Sequence, residues 1–216
     1  LAAMLAEKGV TTLEAPVTGG AHNAESATIT ILVGGDEDIY RKHTAAFAAM
    51  GGRVFYLGEL GKAAIIKVIT NMLAFIHIAA TAEAYMLAAK GGIDLRLAWE
   101  VIKASSGNSF IHETESTTIL SGSYDIGFSL DLSCKDLGFA TQLGREFDVP
   151  LPIASLVEQL NQSARDEFGG SAGSPMVAKL IEHACATELR APGFPANLEE
   201  YLQSMPRAER LANPIL

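Results

Sequence analysis

The chain is poor in several kinds of residue. Only two cysteines, Cys134 and Cys185, occur in 216 residues, and no CxxC pair forms. That argues against a disulfide framework and points to a reducing, cytoplasmic setting. The five histidines, His22, His43, His77, His112 and His183, show neither HxxxH nor HExxH spacing. A metal site is therefore not expected. Positive charge is scarce: 16 Lys and Arg stand against 25 Asp and Glu, for a net charge of −9. Such a chain repels phosphate backbones, so no nucleic-acid partner is expected. There is no internal repeat, no low-complexity run and no GxGxxG turn. The opening, LAAMLAEKG, has neither an initiator Met nor the basic region of a signal peptide. It reads as the last turns of a helix stopped by Gly9, as though the chain begins inside a longer element.

What is present is apolar. The chain is 49% hydrophobic and 19% charged, which suits a globular protein with a sizeable core. Residues 10–17 read as a strand ending at Pro16. Residues 27–33, rich in β-branched side chains, read as a second strand ended by Gly34-Gly35. Asp36 caps a helix expected to reach Met50, and residues 53–57 form a third strand. This β-β-α-β run is too small to stand alone and reads as the remnant of a larger sheet. After Gly58 strand signals stop. Residues 62–90 form one helical pattern, about 43 Å long at 1.5 Å per residue. Helices follow at 94–104, 109–121, 130–147, 152–168 and 174–188. The tail after Leu189 carries four prolines and reads as irregular, apart from a short turn at 197–204. Residues 68–89 are long and apolar enough to span a bilayer. Asn71, His77, Thr81 and Glu83 interrupt them, and no aromatic belt flanks them, so a buried helix at the centre of a bundle is expected instead.

Three segments carry potential chemistry. Ala15-Pro16-Val17-Thr18-Gly19-Gly20 ends a strand in a hydroxyl and two glycines. Glycines let backbone N–H groups approach an anion, which suits a substrate carboxylate, although an ordinary turn has the same pattern. Gly58-Glu-Leu-Gly61-Lys-Ala-Ala-Ile-Ile-Lys67-Val-Ile-Thr-Asn71 opens the long helix. Lys67 and Asn71 are four residues apart and share a face. Lys67 lies among Ile65, Ile66, Val68 and Ile69, so it either snorkels to solvent or is held in a site. Partial desolvation of such a lysine favours the neutral amine that exchanges a proton with an alcohol. The third segment is Cys134-Lys135-Asp136-Leu137-Gly138, with Phe128 eight residues before the aspartate. Lys135 and Asp136, adjacent on a helix, are expected to point apart.

Together and in this order, the three segments resemble the β-hydroxyacid dehydrogenase family. The resemblance runs from about Val10 to Ala184. It makes Lys67 the catalytic lysine and gives Thr18, Gly19, Gly20, Asn71, Phe128 and Asp136 to the substrate and Lys135 to the cofactor, NAD or NADP. Thr18 stands where the family usually has Ser, Ala63 where a glycine is frequent, and Thr70 where a second asparagine is frequent. The implied fold is α+β and mostly α: residues 1–57 as the remnant of a Rossmann-type domain, residues 58–190 as the long helix and an all-α domain, and 191–216 as a tail. The family's glycine-rich turn binds the dinucleotide pyrophosphate, and its absence from these residues leads us to expect an N-terminally truncated, inactive piece. The implied reaction is oxidation of a small 3-hydroxy acid, or reduction of the matching semialdehyde. The implied partner is a second copy bound through the helical domain. The alternatives are a 6-phosphogluconate-type dehydrogenase, which would need an arginine cluster, and a non-catalytic dimerisation module.

Overall fold

A computed structural model describes residues 1–198 and Glu200. The expected turn at 197–204 lies mostly outside the described residues. The chain divides into two compact units, one from Leu1 to Thr70 and one beginning at Asn71.

The first unit contains α1 (Ala2–Ala6), β1 (Leu13–Glu14), β2 (Val17–Thr18), α2 (Ala21–Glu25), β3 (Thr30–Gly35), α3 (Glu37–Lys42), α4 (Thr44–Met50), β4 (Arg53–Tyr56) and the start of α5 (Lys62–Lys90). β4 pairs parallel with β3, from Thr30 opposite Arg53 to Val33 opposite Tyr56. A parallel pair needs a crossover, and α3 and α4 supply it. The expected strand at 10–17 is two short ones. β1 runs antiparallel against Gly34–Gly35 and β2 antiparallel against Thr30–Ile31. Pro16 has no N–H to give the ladder, so it interrupts the strand without ending it. Its carbonyl still accepts from Leu32 N at 2.9 Å. Nor do Gly34 and Gly35 end β3; they are paired members of it.

Asp36 caps α3 as expected, its carboxylate accepting from Ile39 N at 2.9 Å. The helix then breaks at His43 (φ −109°, ψ 9°), so one expected helix is two. α2 went unforeseen, because Gly19-Gly20 ahead of it reads as a loop. Ile31 and Val33 alternate onto one face of β3 and pack with Ile29 and Phe47 as this unit's core.

The second unit continues α5 and adds α6 (Leu95–Lys103), α7 (Phe110–Glu113), α8 (Ser116–Ser121), α9 (Leu130–Glu146), α10 (Pro152–Phe168), a 3₁₀ turn (Ser174–Met176) and α11 (Val177–Cys185). α5 stops where Gly92 turns left-handed (φ 76°) and Ile93 N donates back to Ala88 O at 2.9 Å. The expected helix at 109–121 splits around Thr114 (φ −112°, ψ −79°). The hydroxyls of Thr114, Thr117 and Thr118 each donate to a carbonyl three or four residues earlier, in competition with the helical ladder. The expected helix at 174–188 begins as the 3₁₀ turn and ends at Cys185, where Ala186 turns left-handed (φ 46°).

The core of this unit gathers Ile78, Tyr85, Met86, Trp99, Ile119, Leu120, Leu130 and Val177. Several of its buried polar groups pair with one another. The Tyr85 hydroxyl meets His112 Nδ1 at 3.1 Å and Ser116 Oγ at 2.8 Å, and His112 Nε2 meets Trp99 O at 3.0 Å. Burial lowers the His112 pKa, against the pull of the Trp99 carbonyl, and so favours the neutral ring. The beginning of the tail is packed. Leu189 is fully buried, Ala191 N donates to Leu120 O at 3.0 Å, and the Phe194 ring meets Trp99 edge-on at 5.5 Å.

α5 is long and apolar enough to cross a membrane by length and composition alone, yet only 22% of its most apolar stretch is buried. Among the described residues it is therefore not wrapped on all sides. Leu73 (43%) and Leu87 (77%) are exposed, because the described helices cover only part of its circumference.

Candidate active site

In the first unit, Thr18 ends β2 and the chain turns through Gly19 (φ 122°) and Gly20 (φ 83°). Both lie in the region that side chains avoid, so glycine is required on conformational grounds. The turn is tied down by a residue the sequence did not single out. Asn23, on α2, donates from Nδ2 to Gly19 O at 3.0 Å, and its Oδ1 accepts from Thr28 Oγ1 at 3.1 Å. A Cβ on Gly19 would lie 2.9 Å from that Nδ2, a second reason for glycine.

The start of α5 has its own anchor. Glu14 Oε1 accepts from Gly61 N at 2.7 Å and from Ala63 N at 2.9 Å. These are amides that a helix N-terminus cannot satisfy internally. Ala63, in the place of the frequent glycine, is fully buried. One turn on, Lys67 is half-buried, and its carbonyl accepts from Thr70 Oγ1 at 2.9 Å. Thr70 thus spends its hydroxyl on the helix backbone.

The second unit brings four of the sequence-selected residues together. Asn71 Nδ2 donates to Asp136 Oδ2 at 2.6 Å. The Lys135 ammonium lies 3.3 Å from Asp136 Oδ1, so these neighbours pair after all. The lysine stem is long enough to fold back over the adjacent carboxylate. The Phe128 ring lies 5.7 Å from Phe75, one turn after Asn71, and packs onto the cluster of Phe75, Ala79, Leu137 and Val157. Asp136 is half-buried and Lys135 exposed. The Asn71–Asp136 pair went unread because 65 residues separate its members and only tertiary packing joins them.

Among the described residues no group of three or more His, Cys, Asp or Glu could hold a metal. A cavity of about 400 Å³ in the second unit is lined by Lys179, Glu182, His183, Ala186, Thr187 and Glu188, none of which belongs to the set above. The parallel β3–β4 pair of the first unit is the kind of sheet that carries part of a dinucleotide site. No GxGxxG turn for the pyrophosphate occurs in the 216 residues.

A parallel β3–β4 crossover leads into a long helix that bears Lys67, and an all-α unit follows. Comparison with known proteins gives the family. Residues 61–181 match the model described as the NAD-binding domain of NADP-dependent 3-hydroxyisobutyrate dehydrogenase. Residues 1–58 match the NAD-binding domain of 6-phosphogluconate dehydrogenase. The chain belongs to the β-hydroxyacid dehydrogenase family, whose cofactor is NAD or NADP. It is 36% identical to 2-(hydroxymethyl)glutarate dehydrogenase of Eubacterium barkeri, over 84% of this chain and 61% of that protein. It is 35% identical to L-threonate dehydrogenase of Cupriavidus necator, over 82% of this chain and 60% of that protein. The crystal structure of 3-hydroxyisobutyrate dehydrogenase from Salmonella typhimurium is similar, with a TM-score of 0.76 at 31% identity, covering 83% of this chain and 63% of that one. The chain thus spans about three-fifths of the length of the curated relatives it matches.

Proposed function

We propose that this chain supplies the substrate side of an NAD(P)-dependent dehydrogenase acting on a small hydroxy acid, with Lys67 as the catalytic residue. The observation that carries the reading is the Asn71–Asp136 hydrogen bond of 2.6 Å, one helical turn after Lys67. An amide whose N–H₂ is held by a carboxylate presents its Oδ1 in a fixed direction. That oxygen accepts from a donor such as a substrate hydroxyl. The relatives' names point to the same chemistry, since 2-(hydroxymethyl)glutarate and L-threonate each carry a carboxylate and a hydroxyl.

In this reading Thr18, Gly19 and Gly20 hold the carboxylate through hydroxyl and backbone N–H groups. Asn71 orients the hydroxyl, and Asp136 holds Asn71. Phe128 closes the apolar side, and Lys135 meets the cofactor. Lys67 takes the hydroxyl proton at Nζ during oxidation and returns it during reduction. As an ammonium it stabilises negative charge on the same oxygen. The dinucleotide, when bound, accepts or supplies the hydride. The 216 residues alone lack the pyrophosphate turn, so we assign them no turnover of their own. A carboxylate-bearing substrate matches the two-glycine turn, and a cytoplasmic setting matches the sparse cysteines.

The uncovered faces of Leu73 and Leu87 on α5, with Leu97 and Val101 on α6 (57% and 58% exposed), favour a homodimer through the helical unit.

The reading is tested at Asn71 in an enzyme that joins this chain to a glycine-rich dinucleotide turn. Asn71→Leu removes the oriented acceptor and should lower kcat/KM at least about tenfold, the scale of one lost hydrogen bond to a polar partner. The dinucleotide Kd should hold within about twofold. Loss of dinucleotide affinity with unchanged kcat/KM would place Asn71 on the wrong ligand.

A further inference from the structure

The carboxylate of Glu14 joins two segments far apart in sequence. It sits at the end of β1, four residues before Thr18, yet its Oε1 accepts from Gly61 N and Ala63 N, 47 and 49 residues away. A carboxylate at a helix N-terminus satisfies orphan amides and complements the positive end of the helix dipole. Of the residues just ahead of α5, Gly58, Leu60 and Gly61 offer no side-chain acceptor, and the Gly61 and Ala63 amides go to Glu14 rather than to the nearby Glu59.

The cap reaches Lys67 through the backbone. Glu14 holds the N–H of Ala63, and the carbonyl of Ala63 is the i→i−4 acceptor for the N–H of Lys67 in an α-helix. The opposite strand keeps room for the carboxylate. Glu14 lies across from Gly34 in the β1–β3 register, and a Cβ on Gly34 would overlap the Glu14 carboxylate. Gly34 does not need glycine's freedom of φ, since its conformation is ordinary. Its missing side chain is explained by Glu14.

We propose that Glu14 is a positioning residue for the reaction. It pins the start of α5 to the strand that leads into the Thr18-Gly19-Gly20 turn, and so fixes the setting of Lys67 relative to that turn. It touches neither substrate nor cofactor. The proposal rests on the reading of Lys67 as the proton-exchanging group.

Two measurements separate the cap from that reading. The first is amide hydrogen exchange by NMR in the 216-residue chain, which needs no activity. Glu14→Ala should speed exchange at Gly61, Ala63 and Lys67 at least about tenfold relative to the β3 amides. Glu14→Gln, which keeps an acceptor oxygen, should recover most of the protection. Gly34→Ala should reproduce the effect by displacing the carboxylate, and should add little in the Glu14→Ala background, because the two substitutions break one contact. Unchanged exchange at these amides, equal acceleration throughout the first unit, or full additivity of the two substitutions would each overturn the cap. The second measurement is turnover in the dinucleotide-competent enzyme. Glu14→Ala should lower kcat about tenfold with KM little changed, and Glu14→Gln should restore most of it. If exchange responds as stated and kcat does not, while Lys67→Ala abolishes turnover, the cap stands, its positioning role fails and the assignment of Lys67 survives; if Lys67→Ala also leaves kcat intact, it is the reading of Lys67 that fails.

Discussion

Glu182 on α11 offers a quantitative test of how the helical unit is held together. Its carboxylate is 2% exposed. Oε1 accepts from the Tyr124 hydroxyl at 2.7 Å, Leu189 N at 2.9 Å and Arg190 Nη1 at 2.9 Å, and Oε2 pairs with Lys179 Nζ at 2.9 Å. Burial alone would raise its pKa; the Tyr124 hydroxyl, the Leu189 amide and the two cations outweigh burial and hold it below the usual value of 4.5. Arg190→Leu removes one of the two cations and leaves the carboxylate buried. Breaking a buried pair costs about 3–5 kcal/mol. Arg190 is 31% exposed and Lys179 remains, which discounts the cost to about 2–3 kcal/mol. For a chain of this size that lowers Tm by about 4–12 °C. The sign with pH is fixed. A depressed carboxylate pKa contributes stability that is present above the unfolded value and lost as pH falls through the native one. The deficit of Arg190→Leu should therefore shrink in acid, where Glu182 is protonated and needs no cation. Urea unfolding followed by circular dichroism, in steps from pH 7 down to about pH 2, measures both. A cost below about 0.5 kcal/mol at pH 7, or a deficit that grows in acid, would refute the argument.

Glu115, between α7 and α8, is the opposite case. Burial pushes its carboxyl up to about 7, so it contributes stability that is present below about 4.5 and lost as pH rises through 7. Glu115→Gln should leave stability near pH 4 little changed and raise it at pH 8 by about 1–3 kcal/mol in urea titrations; no gain at pH 8 would mean that the charged form is not penalised. The chain should sediment as a dimer at tens of micromolar, and Leu87→Glu should shift it to monomer, whereas a wild-type monomer at that concentration would rule out the homodimer. Calorimetric titration of the 216-residue chain with NADH or NADPH should give no affinity tighter than the millimolar range, and a micromolar Kd would mean that the glycine-rich turn is dispensable.

How much of this was legible in the sequence depended on range. α5, α6, α9 and α10 follow from local signals, namely helical apolar patterns, Asp94 as a cap and the Gly91-Gly92 stop, whereas the Ser129 cap of α9 emerged only from the structure. The motif residues also lay open, because residue type and order carry the family resemblance. Effects that depend on neighbours were illegible. His43 and Thr114 carry no breaker signal, and the helices divide there through backbone conformation and hydroxyls that compete for carbonyls. Glu14 looks like any strand residue until a helix start 47 residues away places two amides on it. The Lys135–Asp136 pair contradicts a rule about directions on a helix, because that rule treats side chains as rigid and the lysine stem is not.

The central claim is that Lys67 exchanges the substrate proton, and turnover of two lysine variants in the dinucleotide-competent enzyme tests it most directly. Lys67→Ala should lower kcat at least about a hundredfold, or about 3 kcal/mol of barrier. The dinucleotide Kd should be unchanged and the fold intact, since alanine is a good helix former. Lys62→Ala, five residues earlier and exposed, should leave kcat nearly unaltered. A Lys67→Ala enzyme that keeps more than a tenth of wild-type kcat would contradict the account.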